Sequence, residues 1–91
     1  MKRKATLKDA VDIFLDSPDM VSIYVIEKNG DYAVQVQEDE QLYLIFEVQG
    51  KGIVLGKLPP DLVRLRLIED EDEHYRAGAF MRQRIKEAGL A

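Results

Sequence analysis

The chain has 91 residues, 46% of them hydrophobic and 33% charged, with a net charge of −4 and no cysteine. These values fit one globular domain, residues 1–91, that buries roughly 60–65% of its unfolded surface. They exclude a disulfide framework and a thiolate metal site. They also exclude a disordered chain and, for want of ~18 consecutive apolar residues, a membrane-spanning helix.

Lys2-Arg3-Lys4 is followed by a stretch that Asp9, Asp12 and Asp16 interrupt. No secretory leader is therefore expected, and the expected location is cytoplasmic. Charge is spread unevenly: residues 21–58 hold three cations against six anions, while both flanks are close to balance. An acidic central region disfavours nucleic acid, whose binding rests largely on phosphate contacts, and suits a basic protein partner.

Leu7, Ala10, Val11, Phe14 and Leu15 recur at helical spacing, with Asp9, Asp12 and Asp16 on the other side. The spacing predicts an N-terminal amphipathic helix, with Thr6 as N-cap and Asp9 as its capping-box partner. Ser17-Pro18-Asp19 ends it, because proline disfavours helical geometry in the residue before it.

Four apolar, β-branched runs follow at residues 21–28, 31–37, 41–49 and 53–58. Asn29-Gly30 suits a two-residue type I′ turn. That turn pairs Lys28 with Asp31, Val25 with Val34 and Ile23 with Val36, which gathers the apolar side chains on one face. The next connection is expected to be odd, three or five residues long, the shorter being a loop at residues 38–40. It would pair Val36 with Leu42, Val34 with Leu44 and Tyr32 with Phe46. The register after Gly50-Lys51-Gly52 is left open by equally apolar alternatives.

Pro59-Pro60 closes the fourth run. Val63, Leu65 and Leu67 alternate with Arg64 and Arg66, the pattern of a fifth strand, with a helical turn after Pro60 as the rival. A second helix is expected from about residue 72 to 88. Ala77, Met81, Ile85 and Ala88 form its stripe, Phe80 lies beside it, and Gly89 follows as the C′ residue. The fold class is thus α+β: an N-terminal helix, an antiparallel sheet of four or five strands in a β-meander, and a C-terminal helix.

Motifs for chemistry are weak. His74 follows the acidic run Glu69-Asp70-Glu71-Asp72-Glu73 and would share a helix face with Asp70. A metal needs ligands converging from more than one element, so the run is expected to be solvated and no metal site is expected. Gly50-Lys51-Gly52-Ile53-Val54-Leu55-Gly56-Lys57 lacks the first glycine and the hydroxyl of a phosphate loop. Besides tyrosine, the hydroxyls are Thr6, Ser17 and Ser22, and a cap and a turn account for two of them. No catalytic residue, enzymatic activity or cofactor is expected.

The opposite face of the hairpin is half apolar, where a solvated sheet face should be polar. Its expected rows are Tyr24–Gln35–Tyr43 and Ile26–Ala33–Ile45. Three readings compete: the second helix covers it, it is a protein or homodimer interface, or it stacks single-stranded bases. The favoured reading is a small acidic, non-enzymatic protein-interaction module, a modulator or adaptor or a nucleic-acid mimic. Its interface residues are Tyr24, Ile26, Gln35, Tyr43 and Ile45. The alternative is a nucleic-acid-binding module that uses the sheet aromatics with Arg64 and Arg66.

Overall fold

The computed structural model describes residues 6–37, 41–48, 50, 52–59 and 63–91. Helix α1 (Leu7–Asp16) begins at Thr6, whose Oγ1 accepts the Asp9 N–H, while the Asp9 carboxylate accepts the Thr6 N–H. Strands β1 (Ile23–Ile26), β2 (Asp31–Gln37), β3 (Leu42–Phe46) and β4 (Ile53–Lys57) form an antiparallel meander. A fifth strand, β5 (Leu65–Leu67), pairs antiparallel with β1 at the far edge, giving the order β4-β3-β2-β1-β5. The strand reading of residues 63–67 therefore holds over Leu65–Leu67.

The first hairpin corrects the expected register. Val25 lies opposite Tyr32, not Val34, and Ile23 lies opposite Val34. The connection is the four-residue turn 27–30, in which Ile26 O accepts the N–H of Gly30 at 2.8 Å and of Asn29 at 3.3 Å. Only Gly30 takes positive φ, +77°, whereas a type I′ turn requires it at both central residues. The Asn29 carboxamide instead accepts the Asp31 N–H at 3.0 Å. The Glu27 N–H faces β5, as the odd-numbered residues of β1 do, and bonds Arg64 O at 3.0 Å. The displacement is two residues, and side chains alternate with period two, so every side chain keeps its expected face.

Between β2 and β3, Tyr32 opposes Phe46 and Val34 opposes Leu44, as expected. Val36 does not pair with Leu42: a bulge between Gln35 and Gln37 sets Gln37 there. The loop at residues 38–40 lies outside the described residues. At the third turn, Phe46 pairs with Ile53 and Leu44 with Leu55, which settles the open register.

Helix α2 (Glu71–Glu87) buries Ala77, Gly78, Met81 and Ile85, whereas Ala88 is its exposed C-cap. Gly89 N–H bonds Lys86 O, Leu90 N–H bonds Ile85 O, and Gly89 has φ +72°. These are the paired bonds of a Schellman motif, and they fold Leu90 back onto the core.

Both helices pack on the same face of the sheet. Val11 and Phe14 of α1 meet Met81 and Ile85 of α2 over Ile23, Val34, Leu44 and Phe46. Phe14 and Phe46 are tilted rings 5.9 Å apart. This packing excludes the arrangement in which α2 covers the opposite face.

Candidate interaction face

The side of the sheet away from the helices holds a second, smaller apolar cluster. Ladder partners align Leu67, Tyr24, Ala33, Ile45 and Val54 in one row across all five strands. The β1 shift therefore changes the expected rows: Ala33 still opposes Ile45 and Gln35 still opposes Tyr43, but Tyr24 now opposes Ala33. Tyr24 and Tyr43 keep contact along the diagonal, edge to face with centroids 6.0 Å apart. The Tyr24 hydroxyl donates to the Gln35 side-chain oxygen at 3.2 Å.

Part of this face is covered by the chain itself. After β4 the chain re-enters the sheet at the opposite edge, and Leu58, Val63 and Leu65 pack on Ile26, Ala33 and Tyr43. Ala33 is fully buried, and Ile26 and Tyr43 are each 6% exposed. Of the five residues singled out in the sequence, Tyr24, Gln35 and Ile45 remain half-exposed, while Ile26 and Tyr43 lie inside the cluster. Burial, with the Tyr24 ring beside it, raises the Tyr43 hydroxyl above its ordinary pKa. The phenol therefore stays neutral.

Beside the cluster opens a groove of about 680 Å³. Ile26, Ile45, Val54, Leu58 and Val63 form its apolar wall, and Glu27, Lys28, Asp31, Glu47 and Arg64 stand at it. Val54, Leu58 and Val63 were not among the sequence candidates. The signal for them was apolar character alone, at Val54 and Leu58 before the prolines and at Val63 after them, which strand alternation cannot assign to a face when Ile53 and Leu55 are equally apolar.

The acidic start of α2 serves the fold. Asp70 caps the Glu73 N–H at 2.8 Å. Arg66 holds the Glu73 carboxylate through two hydrogen bonds, and this keeps its pKa below the usual carboxylate range. His74, expected to be exposed within the acidic run, is half-buried, and its Nε2 lies 3.0 Å from Val21 O. A carbonyl only accepts, so Nε2 carries the proton in that hydrogen bond. Among the described residues, no three or more His, Asp or Glu side chains are disposed to hold a metal ion. No described helix is long and apolar enough to cross a membrane.

No protein-family model matches the chain, and neither curated proteins nor solved structures match it.

Proposed function

We propose that this α+β domain is a non-enzymatic protein-interaction module whose docking surface is the helix-free face. The observation that carries the reading is the apolar groove between Ile45, Val54, Leu58 and Val63 on a sheet face that neither described helix covers. Exposed apolar surface rimmed by polar groups is where proteins meet partners. The half-exposed Tyr24 beside it suits the same role, since its ring is apolar and its hydroxyl is already bonded. The net charge of −4 favours a basic partner, and a cytoplasmic location belongs to the same proposal.

The nucleic-acid alternative draws less support. Tyr43 is too buried to stack on a base, and the Arg66 guanidinium is bound to Glu73. The test is affinity capture from the native host with the tagged whole chain, wild type against the double variant Tyr24→Ala/Ile45→Ser. Recovery of a specific protein by the wild type alone, with circular dichroism unchanged between the two, is the expected result. Equal recovery by both chains would remove the face from consideration. Capture of oligonucleotides that weakens steeply with salt would favour the nucleic-acid reading instead.

A further inference from the structure

The two edges of the sheet are built differently. Three main-chain bonds set the phase of the ladders: Gln35 N–H to Ser22 O, Ile68 N–H to Ile23 O and Glu47 N–H to Gly52 O. Bonded residues alternate along an antiparallel pair, so Gly52, Val54 and Gly56 face β3. The N–H and C=O groups of Ile53, Leu55 and Lys57 consequently point off the outer edge of β4, which no described strand covers.

At the other edge, β5 has only three residues and carries Arg66 at its centre. Short length and charge are the usual protection of an edge. Strand β4 has five residues, and its one charge is Lys57 at the end. Its middle is uncharged, and Val54 is 49% exposed on the helix-free side.

We infer that the β4 edge pairs with the β4 edge of a second copy, antiparallel about a two-fold axis at Leu55. The register follows from the strand. Only the odd-numbered residues offer outward backbone groups, so odd must pair with odd. Centring on Leu55 bonds Leu55 to its own copy and Ile53 to Lys57, the one register in which all three outward residues pair within both strands. Centring on Lys57 would set two lysines face to face, a destabilising cross-strand pair.

Side chains fit the same register. Val54 falls opposite Gly56 of the second copy on the helix-free face. A Cβ at Gly56 would meet only Ile45 Cδ1, at 3.6 Å, so the glycine leaves room beside it. The apolar rows of the two copies then run on from one another. The two-fold is closed, since each copy uses its β4 edge once. Pairing two five-residue strands is small beside the ~1,200 Å² of a stable interface, so the dimer forms and dissociates with concentration.

Sedimentation of the whole chain across a dilution series tests this, together with amide exchange. The expected result is a reversible monomer–dimer equilibrium, with slower exchange at Ile53, Leu55 and Lys57 as concentration rises. Leu55→Pro removes an outward N–H without touching the β3 ladder and should abolish the dimer. Should that variant misfold, Leu55→Cys decides: a hydrogen-bonded pair has Cα atoms about 5.5 Å apart, within disulfide reach. Oxidation should then yield a covalent dimer of a chain that otherwise has no cysteine. A chain that stays monomeric at every concentration would overturn the inference. So would a dimer whose β4 amides exchange as in the monomer, or a β4 edge occupied only by a strand of another protein.

Discussion

The guanidinium of Arg66 lies on the carboxylate of Glu73 through two hydrogen bonds, Nη1–Oε1 at 3.3 Å and Nη2–Oε2 at 2.8 Å. The pair ties the edge strand β5 to the first turn of α2. The hydrogen bond from Arg66 is the main cause of the lowered Glu73 pKa, and desolvation acts against it. A carboxyl with a lower pKa in the folded state stabilises the fold at pH above its unfolded pKa. That contribution is lost as pH falls through the folded value. Both side chains are solvent-exposed, so the effect is modest. Urea melts of wild type and Glu73→Gln should differ near neutral pH and converge in acid. A difference that persists unchanged below the carboxylate range would contradict this assignment.

Truncating Val34 should be costly. It is fully buried beneath both helices, so Val34→Ala should lose about 1–3 kcal/mol, the range for deleting methyl groups from a packed core. The midpoint shift in urea, with an unchanged slope, reads it.

The two tyrosines of the helix-free face should respond differently to alanine. Tyr43 is 6% exposed, and its removal should cost about 3 kcal/mol, as for other buried aromatic rings. Tyr24 is half-exposed and should cost about 1 kcal/mol, mainly the hydrogen bond to Gln35. Equal losses in thermal melts would mean that both rings belong to the core.

Gly78 sits inside α2, where a Cβ would meet no atom from outside the helix within 4 Å. Gly78→Ala should therefore stabilise the domain by roughly 0.5–1 kcal/mol, because alanine loses less backbone entropy. A lower melting temperature would reveal a close packing contact at this position.

Gly30 presents the opposite case. Its φ of +77° places a side chain in the left-handed region, so Gly30→Ala should cost about 1–2 kcal/mol. Asn29→Ala should cost less, since Asn29 holds negative φ and loses only its bond to the Asp31 N–H. Comparable losses at the two positions would instead point to the type I′ turn in solution.

The sequence by itself determined what depends on neighbours along the chain. Helical spacing and the Thr6–Asp9 box define α1, and Gly89 stops α2 in the expected place. Period-two alternation assigned Ile23 and Val34 to the buried face even though their hairpin partners were misplaced, because a two-residue slip conserves faces. The tertiary structure decided what depends on distant parts. The hairpin turn has four residues rather than two, and the Glu27 N–H at its start bonds Arg64 O, 37 residues further along the chain. Both helices share one face because Phe14, Met81 and Ile85 fill a single core. The fate of the tyrosine face was set by where β5 joined the sheet: only a strand paired with β1 brings Leu58, Val63 and Leu65 over Ile26 and Tyr43. Strand order is a choice among alternative edges with nearly the same local pattern, and the packing of the whole chain makes that choice.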